Sequence, residues 1–139
     1  MLEHKHIIIR ATVNKPPKDV EFIKRWVREL VAKLKMKPLG DTVAVYVDKE
    51  GNKGLTCLQA IETSHIAFHS WDEDEPAMVQ LDVYTCSHLD KHMVFKTLDI
   101  FEPVEINYLT LDRERYLEIK HLWLTTTETI YLQTLVRLH

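Results

Sequence analysis

The chain has 139 residues, the usual length of a domain with one hydrophobic core, so we expect residues 1–139 to form a single domain. A formal net charge of −3 and a pI near 6.2 argue against a nucleic-acid partner, because no block of basic residues is available to face a phosphate backbone. The sequence has no apolar run long enough to span a bilayer and no signal-peptide pattern, which predicts a cytoplasmic protein without a membrane partner.

The first part of the chain predicts a strand, a helix and a second strand. Residues 4–13 are β-branched and apolar, and they end at Asn14-Lys15-Pro16-Pro17, where proline removes the donors of a strand ladder. From Val20 to about Met36, apolar residues recur at helical spacing. The alternating valines of residues 41–49 (DTVAVYVDK) then predict a half-buried strand.

The rest of the chain predicts more strands and one short helix, residues 89–101, whose inner side would carry Val94, Leu98 and Phe101. A C-terminal extension, residues 113–139, gives a weaker pattern: residues 113–121 could be helical, and residues 125–138 could form a strand or a tail. The remaining predicted strands are residues 55–61, 65–71, 77–85 and 104–111.

This order of elements is typical of an α+β domain with an antiparallel sheet and its helices packed on one face. The other face of the sheet would then be uncovered. A half-covered sheet with apolar residues on both sides tends to pair with a second copy, so we expect a homodimer that uses the uncovered face.

The stretch from Gly54 to Cys86 holds the side chains best suited to chemistry. His65 and His69 have the spacing of a metal-binding pair on a helix, but their neighbours predict a strand, where four residues span roughly 13 Å, too far for two ligands of one zinc ion. We therefore expect no metal site. Cys57, in the preceding strand, is best explained as a small buried residue.

Ser64 is a candidate nucleophile because a serine hydroxyl beside a histidine base can attack a carbonyl group. A simple closure of the acidic loop 72–76 would place Trp71 near Ala77 and bring Cys86 level with residues 62–64. Ser64 and Cys86 would then be neighbours. A register shift by one residue would change which side chains share a face, and the sequence leaves that open.

The same stretch resembles the prokaryotic, small-subunit form of the S-adenosylmethionine decarboxylase family, and the resemblance covers roughly residues 4–111. A serine–histidine pair, a second histidine, a tryptophan and a downstream cysteine at these spacings seldom coincide by chance. The motifs that carry the resemblance are GLT at residues 54–56, SHIAFHSW at residues 64–71 and DVYTC at residues 82–86.

The resemblance implies a proenzyme that makes its own cofactor. In that family the serine matching Ser64 attacks the preceding carbonyl, here that of Thr63, and turns the amide into an ester. The histidine matching His69 then removes the serine α-proton, so the chain breaks between Thr63 and Ser64 and Ser64 becomes a pyruvoyl group. Thr56 matches a hydroxyl residue that assists this processing.

The resemblance also implies a reaction and a substrate. The pyruvoyl group forms a Schiff base with the amine of S-adenosylmethionine and accepts the electrons left when carbon dioxide departs, a lyase step in the synthesis of polyamines such as spermidine. Cys86 matches the acid that returns a proton to the α-carbon. Glu73 matches a carboxylate that holds the ribose hydroxyls, while Trp71 could line the pocket or fill the core. The family fold is the one predicted above, an antiparallel sheet with external helices in a dimer.

The sequence departs from the family pattern at the cleavage site and near the substrate. Thr63 stands where the family usually has glutamate, and its β-branch would crowd the attack on its carbonyl. The acidic loop is about two residues longer than usual, and Ser87 replaces a glycine. Two alternatives follow: a homologue that never cleaves and acts as a dimer partner or binding module, or a sister decarboxylase of ornithine or arginine.

Overall fold

The structure, a computed structural model, describes residues 3–123. These residues form two α-helices, a short 3₁₀ turn at Asp99–Phe101 and seven strands, which confirms the predicted α+β class. The elements in chain order are β1 (Lys5–Val13), α1 (Val20–Lys33), β2 (Pro38–Val47), β3 (Gly54–Ile61), β4 (Ser64–Trp71), β5 (Ala77–Thr85), α2 (Lys91–Leu98), β6 (Pro103–Asp112) and β7 (Glu118–Trp123).

The strands form one antiparallel sheet in the order β2-β3-β4-β5-β1-β6-β7. Strand β1 therefore lies between β5 and β6, although it comes first in the chain. The core lies between the sheet and the helices, and the residues that β1, β4 and β5 turn toward it are almost fully buried. This confirms that the helices pack on one face of the sheet.

Helix α1 is fixed at its start and along its inner side. The Asp19 side chain accepts a hydrogen bond from the Phe22 amide at 3.2 Å, which caps the first turn. The Trp26 indole nitrogen donates to the Thr97 carbonyl oxygen at 3.2 Å and so ties α1 to α2. The buried residues of α1 recur at helical spacing, as predicted: Ile23, Trp26, Val27, Leu30 and Val31.

The face of the sheet that carries no helix is called here the open face. Because successive strand residues point to opposite sides, the open face receives every second residue of each strand. It carries apolar side chains that are unusually exposed, with exposed fractions of 58% for Val43, 54% for Val45, 48% for Leu58 and 39% for Ile8. Isolated exposed apolar residues are ordinary, but a group on one sheet face indicates an interaction surface.

Several predicted elements differ from the structure. Helix α1 ends at Lys33 rather than near Met36, and α2 is shorter than the predicted helix over residues 89–101 because its end is a 3₁₀ turn. Strand β2 begins at Pro38, three residues before the predicted start. The alternative of a helix over residues 113–121 was wrong, because β7 pairs with β6 through Leu109–Leu122 and Leu111–Ile119 and extends the sheet at its edge. Pairing with an existing strand outweighs a weak local preference for helix. The prediction for residues 125–138 lies outside the described residues.

Candidate active site

The site begins at the tight turn between β3 and β4. Ile61 pairs with Ser64, so only Glu62 and Thr63 form the turn. The backbone of Ser64 has a φ of +147°, a value that non-glycine residues rarely adopt. Such a conformation costs roughly 1–3 kcal/mol and persists only where the surrounding structure imposes it. The strain lies at the residue whose amide would be cleaved.

Cys86 lies directly beside this turn. Ser64 pairs with Thr85, the last residue of β5, and the amide of Cys86 donates a hydrogen bond to the Thr63 carbonyl oxygen at 2.7 Å. Cys86 is therefore level with residues 62–64, as the sequence predicted. Trp71 pairs with Met78 rather than Ala77, a shift of one residue in the predicted register.

The side chain of Thr63 has an unusual environment. Its hydroxyl oxygen is buried, and it has no hydrogen-bond partner among the described residues. A buried hydroxyl without a partner destabilises a folded protein because it has lost its hydrogen bonds to water. The carbonyl of the same residue accepts a hydrogen bond from the Cys86 amide.

Thr56 and His69 form a second group on the open face. The two residues pair across β3 and β4, and the Thr56 hydroxyl lies 3.1 Å from Nδ1 of His69. The resemblance assigned both residues to processing, and the structure brings them together. It does not bring them to Ser64: His69 is five residues further along the same strand, roughly 16 Å away at strand spacing.

Trp71 and Glu73 lie at the far end of the sheet from Ser64. The Trp71 indole nitrogen donates to the Asn52 side chain at 3.0 Å. The Glu73 carboxylate accepts backbone hydrogen bonds from Lys53 at 2.8 Å and Gly51 at 3.0 Å. These bonds, that from Lys53 first, lower the pKa of Glu73 below its ordinary value. Each carboxylate oxygen keeps a free acceptor position, so Glu73 is held in place and can still bind a hydroxyl group.

A third group was not identified from the sequence. His6 Nε2 is hydrogen-bonded to the carboxylate of Asp82, and Nδ1 of the same ring accepts from the Arg113 guanidinium at 3.3 Å. The guanidinium carbon lies 4.0 Å from the centre of the Tyr84 ring, a cation–π contact. Asp82 and Tyr84 belong to the DVYTC motif, but their partners come from β1 and the end of β6, and sequence alone does not reveal that these strands are adjacent.

The other candidate groups carry less chemistry. Cys57 is fully buried, and desolvation raises the pKa of its thiol to about 11, which keeps it protonated at neutral pH. Within residues 3–123, histidine, cysteine, aspartate and glutamate residues form no group of three or more that could hold a metal ion. The helices of that part of the chain are all too short or too polar to cross a membrane.

Fold and site together define a class of protein: an α+β domain that presents a serine on a strained turn, with a cysteine beside it and a threonine–histidine pair on the open face. Comparison with known families names that class. The family model for S-adenosylmethionine decarboxylase matches residues 5–114, and the chain belongs to this family.

Individual relatives agree with the family. The chain is 33% identical over 96 residues to an S-adenosylmethionine decarboxylase proenzyme of Archaeoglobus fulgidus, a match that covers 67% of this chain and 80% of the relative. It is 38% identical over 69 residues to a proenzyme of the same name from Pyrobaculum arsenaticum, covering 48% of this chain and 54% of the relative. The second match therefore spans about half of that relative.

A solved structure supports the fold. The adenosylmethionine decarboxylase of Aquifex aeolicus VF5 superposes with a TM-score of 0.65 at 19% sequence identity, covering 90% of this chain and 98% of that one. At this identity the likeness concerns the fold, which agrees with the sheet and helices described above.

Proposed function

We propose that the chain is a cytoplasmic proenzyme that cuts itself between Thr63 and Ser64 and then decarboxylates S-adenosylmethionine for polyamine synthesis. The observation that carries this proposal is the geometry of the scissile bond. Ser64 has a φ of +147°, and the Thr63 carbonyl accepts a hydrogen bond from the Cys86 amide at 2.7 Å. Membership of the family, and relatives named as proenzymes, support it.

This geometry favours an attack by Ser64 on the carbonyl before it. The Cys86 amide polarises the Thr63 carbonyl and would stabilise the negative charge that develops on its oxygen. In the step, a bond forms between the Ser64 oxygen and the Thr63 carbonyl carbon, the bond to the Ser64 nitrogen breaks, and the hydroxyl proton moves to that nitrogen. Conversion of the amide to an ester would also release the strain at Ser64.

The resulting ester breaks when a base removes the α-proton of Ser64, and we assign this role to His69. Thr56 holds the imidazole through its hydroxyl, 3.1 Å from Nδ1, and leaves Nε2 free to act. This elimination frees Thr63 as a carboxylate and leaves a dehydroalanine at residue 64, from which water displaces the nitrogen as ammonia. The pyruvoyl group so formed would supply the carbonyl that binds the substrate amine and accepts the electrons released with carbon dioxide.

The remaining site residues act on the substrate. Cys86 lies beside Ser64, where its thiol can return a proton to the α-carbon. Glu73, fixed by Lys53 and Gly51, would hold the ribose hydroxyls, and Trp71 would line the same pocket. Glu73 and Trp71 lie at the opposite end of the sheet from Ser64 within one chain.

This separation supports a homodimer in which the two copies share each site. Ser64 and His69 are roughly 16 Å apart in one chain, too far for a proton transfer. If two open faces pack with their strands in opposite directions, the Thr56–His69 pair of one copy approaches the β3–β4 turn of the other, where Ser64 begins β4.

Intact mass and denaturing electrophoresis test the cleavage. The purified protein should yield two fragments divided at Thr63–Ser64, and the larger should lack a free amino terminus. Ser64→Ala should remain one full-length chain, whereas Cys86→Ala should cleave and then release carbon dioxide slowly. Normal cleavage of Ser64→Ala would overturn the proposal.

Complementation tests the shared site. Ser64→Ala and His69→Ala should each stay uncleaved alone, but in a mixed dimer the intact Ser64 of one chain meets the intact His69 of the other. The His69→Ala chain should then be cut in the mixture. If the mixture stays uncut while the wild-type protein cleaves, each site is built within one chain.

Thr63 favours the second candidate, a homologue that stays intact. Its β-branch crowds the carbonyl, and a single full-length species after long incubation would support this function. If the protein cleaves, S-adenosylmethionine, ornithine and arginine should be offered in parallel to the processed protein. Carbon dioxide release from S-adenosylmethionine alone is the expected result.

A further inference from the structure

Arg113 lies at the Ser64 end of the open face, and its role follows from what surrounds it. It comes just after β6, and its amide donates to the His4 carbonyl at 2.9 Å. Its side chain then reaches across β1 to β5, where the guanidinium lies 4.0 Å from the centre of the Tyr84 ring. Tyr84 pairs with His65, the residue directly after Ser64, and lies two residues before Cys86.

The guanidinium is held in one position by groups that leave most of its donors free. One nitrogen donates to Nδ1 of His6 at 3.3 Å, and the other nitrogen of that ring bonds to Asp82. Because Nδ1 accepts, the ring carries its proton on Nε2, and this N–H donates a hydrogen bond to the Asp82 carboxylate. His6 therefore holds Arg113 in position and also engages Asp82, the acidic side chain of this group, in a hydrogen bond. A guanidinium has five N–H donors in a planar fork, so Arg113 can still bind a carboxylate with two hydrogen bonds.

We propose that Arg113 binds the carboxylate of the amino-acid substrate, and that His6, Asp82 and Tyr84 position it. This inference rests on the proposed function, which places the substrate amine at residue 64. The substrate of such a reaction carries a carboxylate and an amine on one carbon, so a substrate held at Ser64 places its carboxylate within a few ångströms of that residue. Arg113 lies over the ring of Tyr84, and Tyr84 pairs with His65, the residue directly after Ser64.

The charge of the site fits a substrate whose ends differ. The Arg113 guanidinium attracts a carboxylate and repels a sulfonium or ammonium group, whereas the acidic loop Asp72–Glu75 does the reverse. In the proposed dimer these two groups belong to different copies and face one another. The substrate is therefore oriented with its carboxylate toward Ser64 and its cationic part toward the acidic loop.

Kinetics provide the first test. Arg113 binds a carboxylate whose charge disappears as carbon dioxide leaves, so the interaction contributes to substrate binding more than to the transition state. Arg113→Met should raise KM about 10- to 100-fold, the value of a charged hydrogen-bonded contact, and change kcat much less. Arg113→Lys keeps the charge without the planar fork, so its KM should lie between those of the wild type and Arg113→Met. Arg115 is exposed and lies two residues further on. It provides the control Arg115→Met, whose KM and kcat should match those of the wild type.

Binding to the mature protein provides a second test that does not depend on turnover. The probe is the desamino analogue of S-adenosylmethionine, which keeps the carboxylate but lacks the reactive amine, and its partner is the methyl ester of that analogue. By calorimetry the wild type should bind the acid more tightly than the ester, and Arg113→Met should bind the two alike. If Arg113→Met prefers the acid as strongly as the wild type does, or weakens both equally, Arg113 is structural and the inference fails. If the wild type cleaves but binds neither probe, the proposed substrate is wrong and the carboxylate site falls with it.

Discussion

At the scale of single residues, Thr63 is the residue least suited to the proposed cleavage. The carbonyl of Thr63 accepts a hydrogen bond from the Cys86 amide, but the Thr63 hydroxyl is buried without a partner among the described residues. The β-branch restricts the space around the carbonyl, and the unsatisfied hydroxyl destabilises the folded chain.

These two effects can be separated by substitution. Thr63→Val keeps the branch and removes the hydroxyl, so it should stabilise the protein by about 1 kcal/mol and leave cleavage slow. Thr63→Ala removes both and should accelerate cleavage several-fold. The measurements are urea denaturation of the Ser64→Ala background and the rate of fragment formation by electrophoresis. Equal cleavage rates in the two variants would show that crowding does not limit the attack.

The sequence predicted only part of this site. Loop length and strand alternation were enough to place Cys86 level with residues 62–64, since the two strands of a hairpin with a short loop end side by side. The separation of Ser64 from His69 also follows from strand spacing, yet the resemblance gave both a role in one step. The group around Arg113 could not be predicted, because it depends on β1 being inserted beside β5.

At the scale of elements, the contact between β3 and β4 depends on Gly54. A Cβ atom at this position would lie 1.7 Å from the Ser70 carbonyl oxygen, a backbone atom that cannot move without displacing β4. Gly54→Ala should therefore destabilise the protein by more than about 2 kcal/mol. Gly51→Ala is the matched control: it has a φ of +85° but meets no atom within 4 Å, so it should cost about 1 kcal/mol. Equal losses in urea denaturation would contradict the clash.

The acidic loop is attached to the β2–β3 turn through Glu73. Hydrogen bonds from Lys53 and Gly51 lower the pKa of Glu73 from its ordinary value of 4.5. A carboxyl group whose pKa is lower in the folded state stabilises the fold above the unfolded value and loses this effect as the pH falls through the folded one. Glu73→Gln should therefore weaken the protein at neutral pH and match the wild type in strong acid. Asp74→Asn, an exposed neighbour, should show no such convergence.

The elements themselves were largely predictable, and the missed strand β7 has a physical cause. Helix α1 and strands β3, β4 and β5 are specified by local periodicity, which the surrounding structure reinforces. Strand β7 is not specified by local periodicity, since residues 118–123 are mostly exposed and acquire their conformation by pairing with β6. The local sequence pattern does not reveal that a strand from another part of the chain will pair with these residues.

At the scale of the whole molecule, the open face should join two copies. Leu58 is 48% exposed on this face, halfway along β3, and a charge there would be buried in the proposed interface. Leu58→Glu should convert a dimer into a monomer by sedimentation equilibrium and should also abolish cleavage, because each site would lose its second half. Ile100→Glu provides the control, since Ile100 is 54% exposed in the 3₁₀ turn that follows α2. A wild-type monomer that still cleaves would contradict the dimer.

The position of β1 has a further consequence for the product of the proposed cut. Scission at Thr63–Ser64 assigns β1, β2 and β3 to one piece and β4 to β7 to the other, yet β1 is inserted between two strands of the second piece. The pieces are interlaced and share ladders on three borders, β3–β4, β5–β1 and β1–β6. The proposed cleavage would therefore change the covalent connectivity of the chain without separating the two pieces, and the mature protein would keep its architecture as two polypeptides that were made as one.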